Sequence, residues 1–187
     1  VTAEWPELHN GNNALFLIGD YDVQNHVFHR RRIQSDEYGL DYYAPQTTLT
    51  PDGRRILTAW MKSWDTNIFP EGFSWNGMMT VPRELSIREE DGRILQNPVR
   101  ELERYRGTPV CEEQVHVHEP VSFEGIRGRM ADLQVEIEGR GFGTFTISVA
   151  ADGRHHTDII YDEEREILTF DRTCSGLRRD VVCTRSM

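Results

Sequence analysis

The feature that most narrows the fold is a pair of strand-like runs closed by a turn: Thr48-Leu49-Thr50 and Arg54-Arg55-Ile56-Leu57-Thr58-Ala59-Trp60, on either side of Pro51-Asp52-Gly53. Proline presets φ at one turn position and glycine accepts a positive φ at another, so the two runs are expected to fold back as a β-hairpin. The same pattern recurs along the chain. Ala14-Leu15-Phe16-Leu17-Ile18-Gly19-Asp20 is a short apolar run ended by turn residues, as expected of a strand buried on both faces, and a second strand is expected from Val27. Met78 to Leu85 and Leu85 to Ile94 repeat the theme, the latter with a turn near Glu90-Asp91-Gly92. Strands and turns at such even spacing predict an all-β chain: a sandwich, a barrel or a propeller.

Helix signals are few. Val99-Arg100-Glu101-Leu102-Glu103-Arg104-Tyr105, after Pro98, suits a two-turn connector, and Gly107-Thr108-Pro109 ends it because proline disfavours helix in the residue before it. Residues 98–109 are therefore read as a linker. Beyond it, Leu133-Gln134-Val135-Glu136-Ile137-Glu138 and Thr144-Phe145-Thr146-Ile147-Ser148-Val149 alternate strictly between apolar and polar, which sends one face of each into a core. A further hairpin is expected from Thr157 to Leu168 around Asp162-Glu163-Glu164. Residues 110–187 read as part of an antiparallel β-sandwich.

Composition removes several classes of function. The chain has 187 residues, enough for a real core, but 31 Asp and Glu against 21 Lys and Arg leave a net charge of −10. That charge repels a phosphate backbone and an anionic membrane surface, so no nucleic-acid or membrane partner is expected. No apolar run approaches the length of a membrane span, and the first residues lack the basic and apolar regions of a signal peptide. Cys111, Cys174 and Cys183 form neither a CxxC pair nor an even set, which predicts reduced thiols in a cytoplasmic protein. Export could still be encoded upstream, because Val1 is not an initiator methionine.

Some local signals resemble chemistry that their context does not support. Gly139, Gly141 and Gly143 superficially resemble a phosphate loop, but a β-strand follows where a helix should start, so a hairpin connection is expected. His116 and His118 share a face of an expected strand, and His155 and His156 adjoin a turn. The ligand set for a metal is incomplete, and no metal site is assigned. Cys174-Ser175-Gly176 lacks the flanking glycines and partner His of a nucleophile, so a loop is expected there. The acidic groups Glu89-Glu90-Asp91 and Asp162-Glu163-Glu164 read as solvated turns.

The tryptophans point elsewhere. Sugar sites combine an apolar ring face, which covers C–H surface, with a few hydrogen-bonding groups. Trp60, on an expected strand, is read as core. Trp64 lies beside Asp65 and Asn67, and Trp75 among Ser74, Asn76 and Gly77, so for both a cleft is as good a reading as packing.

Four segments in order carry a family resemblance: Phe16-Leu17-Ile18-Gly19-Asp20-Tyr21-Asp22; Tyr38-Gly39-Leu40-Asp41-Tyr42-Tyr43-Ala44-Pro45-Gln46-Thr47; Gly53-Arg54-Arg55-Ile56-Leu57 through Trp60-Met61; and Trp75-Asn76-Gly77-Met78-Met79 with Pro82-Arg83-Glu84-Leu85. Together they resemble glycoside hydrolase family 32, in particular its bacterial sucrose-6-phosphate hydrolases and invertases. Tyr161-Asp162 and Asp171-Arg172-Thr173-Cys174-Ser175-Gly176 resemble that family's C-terminal sandwich.

The resemblance implies part of a five-bladed β-propeller followed by a β-sandwich, with residues 1–97 as the last, incomplete blades. It also implies a retaining glycosidase that cleaves terminal β-D-fructofuranosyl bonds in sucrose, sucrose 6-phosphate or short fructans. Such enzymes use an Asp nucleophile and a Glu acid/base about 5 Å apart and need no cofactor. The nucleophile's Trp-Met-Asn-Asp-Pro-Asn-Gly segment and the stabiliser's Arg-Asp-Pro segment are absent here, so no catalytic residue is assigned. Glu4-Trp5-Pro6 superficially resembles the acid/base segment. Only fourteen residues separate Glu4 from Gly19, which is short for the expected intervening hairpin, and Glu4 is set aside.

The residues implied to bind substrate are Trp64, as an indole lining the fructose pocket, then Asp41, Tyr42 and Trp75. Asp41 could accept a hydrogen bond from a sugar hydroxyl or make a structural bond to a neighbouring loop. A blade takes about 40 to 45 residues, so residues 1–97 supply about two of five. The open edges of such a partial ring favour pairing with the missing N-terminal blades of the same protein, or homo-oligomer formation. Without the missing blades these 187 residues are expected to be inactive by themselves; the alternative is a non-catalytic carbohydrate-binding or structural β module.

Overall fold

The computed structural model describes residues 14–62, 72–176 and 183–187, and among these ten strands and one short 3-10 helix appear. β1 (Leu15–Asp22) and β2 (Val27–Ser35) form an antiparallel hairpin. β3 (Tyr43–Leu49), β4 (Arg55–Trp60), β5 (Arg83–Ile87) and β6 (Ile94–Pro98) form a four-stranded meander in chain order. A second four-stranded antiparallel sheet contains β7 (Thr144–Val149), β8 (Thr157–Asp162), β9 (Ile167–Asp171) and β10 (Thr184–Ser186), again in chain order.

The β3–β4 hairpin closes as its sequence predicts. Gly53 takes φ +84°, its N–H donates to Thr50 O at 2.9 Å, and Thr50 N donates to Arg54 O at 2.8 Å. Asp52 braces the turn by accepting from Thr50 Oγ1 at 2.5 Å and Arg54 Nε at 2.8 Å. These bonds, that from Thr50 foremost, lower its carboxyl to about 2. Across the hairpin, Leu57 and Ala59 point inward and are almost fully buried; with Tyr42 they make the core, against which Ala14, Phe16 and Leu85 pack.

β3 does not enter this sheet smoothly. Tyr43 pairs with Trp60, but the next partner of β4 is Gln46, opposite Thr58, so one residue bulges out. Ala44 sits in that bulge at φ +49°.

The hairpin β1–β2 meets β6 through polar side chains. Arg32, Gln34 and Asp36 alternate along one face of β2 and its end. Arg32 Nη1 donates to Asp91 O at 2.8 Å, Gln34 exchanges bonds with Ile94 O at 2.7 Å and Ile94 N at 3.0 Å, and Gln96 Nε2 donates to Asp36 O at 2.6 Å. At Ile94 the outer edge of β6 is thus satisfied by the Gln34 amide rather than by another strand.

Two strand expectations shift. The strand expected from Met78 begins only at Arg83, after Pro82; before it, Met79 makes one isolated bridge with Trp60. Proline offers no N–H to the ladder, which accounts for the late start. The run Leu133–Glu138 forms no strand, and Leu133, Val135 and Ile137 stay 48%, 50% and 41% exposed. Alternation defines two faces of a strand but supplies no hydrogen-bonding neighbour, and none lies beside this run among the described residues.

Residues 100–140 form a compact unit of their own. It starts with a 3-10 helix at Arg100–Tyr105, where a two-turn connector is expected, and it includes an Arg106–Asp132 ion pair at 2.7 Å. In the other unit, β7 shows the predicted alternation, with Phe145, Ile147 and Val149 half-buried and Thr144, Thr146 and Ser148 exposed.

Candidate functional site

The segment between β2 and β3 gathers the most polar chemistry. Asp36, 4% exposed, accepts from the Tyr42 hydroxyl at 2.7 Å and from Gln96 Nε2 at 3.1 Å. Burial raises its carboxyl above the usual range, against the pull of Tyr42 and of Arg83. Glu37 accepts from Arg83 Nη2 at 2.6 Å and, through its other oxygen, from Tyr38 N and Gly39 N at 2.9 Å. Arg83 also donates to Gln96 Oε1 at 3.0 Å and lies 5.5 Å from the Tyr42 ring centre. The result is a closed circuit in which each charge faces an opposite charge or a dipole.

Tyr42, which the resemblance implies as a substrate-binding residue, lies in the core. It is 6% exposed, and burial, then its bond to Asp36, pushes its phenol well above the ordinary range. Its hydroxyl is committed to Asp36 and its ring packs on Leu57 and Ala59.

Asp41 occupies a different setting. Its Oδ2 accepts from Arg172 Nη1, and the two side chains are only 16% and 11% exposed. Its Oδ1 is buried with no partner among the described residues. One oxygen thus makes the structural bond, and the other is a buried acceptor without a partner among the described residues.

The aromatics divide. Trp60 is half-buried, edge-on to Tyr43 at 6.5 Å, with Lys62 Nζ 5.8 Å from its ring centre. Gly77 packs so closely on its indole that an added Cβ would stand 2.2 Å from Nε1. Trp75 is 62% exposed and meets Phe73 edge-on at 4.9 Å, giving an open aromatic surface. Trp64, with Asp65 and Asn67, lies outside the described residues, as does Glu4.

The glycine loop leads into β7 but closes no hairpin, because no strand precedes it among the described residues, and two of its amides are taken. Gly141 N and Phe142 N donate to the two carboxylate oxygens of Glu163 at 3.0 and 2.9 Å. Among the described residues no group of three or more His, Cys, Asp or Glu is arranged to hold a metal ion.

Two family models match the chain in sequence: the glycosyl hydrolases family 32 N-terminal domain over residues 1–98 and the family 32 C-terminal domain over residues 101–186. The chain belongs to glycosyl hydrolase family 32. A sucrose-6-phosphate hydrolase of Staphylococcus xylosus is 29% identical over 184 residues, which is 94% of this chain and 35% of that protein. A raffinose invertase of Escherichia coli is 50% identical over 70 residues, 37% of this chain and 14% of that one. A family 32 β-fructofuranosidase of Bombyx mori superposes with a TM-score of 0.68 at 20% identity, covering 97% of this chain and 36% of its own. The chain thus spans about a third of the length of the sucrose-6-phosphate hydrolase it matches. Its fold class is that of the family 32 enzymes, part of a β-propeller followed by β-sandwich sheet.

Five polar residues that hold this region have no role in the sequence reading: Asp36, Glu37, Arg83 and Gln96 in one cluster, and Arg172 on Asp41. Asp36, Glu37 and Gln96 lie outside the segments that carry the resemblance, while Arg83 and Arg172 lie inside them without an assigned role. The one available signal was the spacing of Arg32, Gln34 and Asp36, a polar stripe with a strand's period of two.

Proposed function

We propose that these residues are a portion of a retaining β-fructofuranosidase that cleaves terminal β-D-fructofuranosyl bonds in sucrose, sucrose 6-phosphate or short fructans. The observation that carries this is the succession of the two family 32 domain matches along one chain, together with relatives named sucrose-6-phosphate hydrolase and raffinose invertase. In this reading residues 1–97 supply propeller blades, 98–109 the linker and 110–187 sandwich, and the nucleophile lies in blades outside this stretch.

The contribution of this stretch is recognition. The buried, unpartnered oxygen of Asp41 suits a fructosyl hydroxyl, the Trp64 indole offers an apolar face, and Trp75, exposed to solvent, suits a leaving sugar or a longer fructan. The Tyr42–Asp36 bond supports the segment from behind. A cytoplasmic site of action belongs to the same reading, since Cys111 and Cys174 are exposed thiols.

The test is hydrolysis by the complete polypeptide of sucrose, sucrose 6-phosphate and a short fructan, followed by NMR. The expected result is release of fructose that appears first as the β-anomer, as retention requires. Sugar binding without release would support a non-catalytic module instead. Glu4→Gln in the same polypeptide decides the Glu4-Trp5-Pro6 segment, which the N-terminal match includes. Loss of turnover by about 10²- to 10⁴-fold would make Glu4 the acid/base, and unchanged turnover would uphold the spacing argument.

A further inference from the structure

We propose that Arg172 is a positioning residue for the fructoside site: from the second sheet it grips Asp41 and fixes the direction in which that carboxylate meets substrate. The inference rests on the fructosidase reading and deepens it, because it gives the C-terminal sheet a part in recognition.

Four observations support it. First, the pair joins residues 131 apart in sequence, and with side chains 11% and 16% exposed it is largely out of water. A pair so placed is screened far less than a surface salt bridge, and loss of one partner leaves the other charge poorly solvated. Second, Arg172 leaves a braced turn at the end of β9. Its N–H donates to Cys183 O at 2.8 Å, and its carbonyl accepts from Ser175 N at 3.0 Å and Ser175 Oγ at 2.6 Å. Its guanidinium is thereby aimed by backbone that cannot easily shift.

Third, Asp41 needs such a hold. The ladder does not supply it, because β3 starts at Tyr43 and bulges at once, with Ala44 at φ +49° and no paired residue again until Gln46. Fourth, the neighbour Tyr42 is held from another direction by Asp36 at 2.7 Å. Two successive residues are thus gripped by two separate elements, which leaves the buried Oδ1 of Asp41 as a fixed, unfilled acceptor. Groups that contact a substrate lose much of their effect when their supporting bonds loosen by even an ångström.

The experiment is a double-mutant cycle in the complete polypeptide: Arg172→Gln, Asp41→Asn and the pair together, with kinetics on sucrose, circular dichroism and thermal melting. In folded protein, Arg172→Gln is expected to lower kcat/KM about tenfold to a hundredfold, mainly through KM. A purely structural role would lower the amount of active enzyme and leave KM unchanged. The double variant is expected to be no worse than the poorer single one, because both remove the same bond.

A folded Arg172→Gln with kcat/KM within twofold of wild type, or effects of the two singles that multiply, would overturn the proposal. If Arg172→Gln does not fold, Arg172→Lys takes its place. It keeps the charge but not the planar fork, so a rise in KM is expected and an unchanged KM overturns the role. A wild-type polypeptide that hydrolyses no fructoside would overturn the enzymatic reading and the positioning role with it. The melting cycle would still measure the ion pair, which separates that failure from an absent Asp41–Arg172 coupling.

Discussion

Gly77→Ala should be among the most damaging single-atom-scale changes in the first sheet, and its cost can be divided into two parts. Gly77 has φ +83°, a left-handed conformation that costs an L-residue about 1–2 kcal/mol. The new Cβ would also stand 2.2 Å from Trp60 Nε1, 3.1 Å from Cε2 and 3.2 Å from Cδ1. The indole cannot simply swing away, since it is packed edge-on to Tyr43 and followed by the Met61 N to Met78 O bond at 2.7 Å. Forcing it to move adds about 1–3 kcal/mol, for a total of about 2–5 kcal/mol.

Gly53 supplies the control. Its φ of +84° matches, yet a Cβ there would meet nothing within 4 Å. Gly53→Ala should therefore cost only the conformational part, and the difference between the two variants isolates the collision. Urea unfolding of the complete polypeptide, followed by tryptophan fluorescence and circular dichroism, measures both. A Gly77→Ala penalty equal to that of Gly53→Ala would refute the packing argument. So would a Trp60→Leu background, which removes the colliding ring, in which Gly77→Ala remained equally costly.

Other expectations follow from single groups. Asp36 has a raised folded pKa, so the stability it contributes is fully present below its unfolded value near 3.8 and is lost as pH rises through the folded value. Melting curves should thus show wild type gaining on Asp36→Asn as pH falls from 7 toward 4; a difference that is flat or of opposite slope would count against burial as the dominant influence. Glu163→Ala should speed amide exchange at Gly141 and Phe142 by about tenfold, while β7 and β8 amides stay protected. Equal protection in the variant would mean that Glu163 does not brace the loop. Trp64→Ala in the complete polypeptide should raise KM for sucrose or lower turnover, and unchanged kinetics would remove Trp64 from the site. Trp75→Ala, at a side chain 62% exposed, should change stability by less than about 0.5 kcal/mol, and a larger loss in urea unfolding would place it in packing.

What could be read from the sequence was what neighbouring residues decide among themselves. The Pro51-Asp52-Gly53 turn, the alternation of Thr144–Val149 and the Thr157–Leu168 hairpin all came out where local chemistry puts them. Leu133–Glu138 has as clean an alternation and forms no strand, because pairing needs a neighbour that no local pattern names. The polar seam was hidden for a related reason. A stripe of Arg32, Gln34 and Asp36 ordinarily marks a solvated face, but here it lies against the outer edge of β6, where backbone groups of Asp91 and Ile94 need partners and apolar side chains could not serve.

Tyr42 and Asp41 carry the point into the site. An aromatic next to an acid is compatible with a sugar pocket and with a core, and the setting of the pair depends on residues 36, 83 and 172, the last two far along the chain. Tyr42 packs in the core, and Asp41 gives one oxygen to Arg172 while the other is buried without a partner among the described residues. In the proposed reading, this recognition group is held by contributions from three separate strand ends. Its specificity should therefore be more sensitive to changes at Arg172 and Asp36 than to changes at many residues closer to Asp41 in sequence.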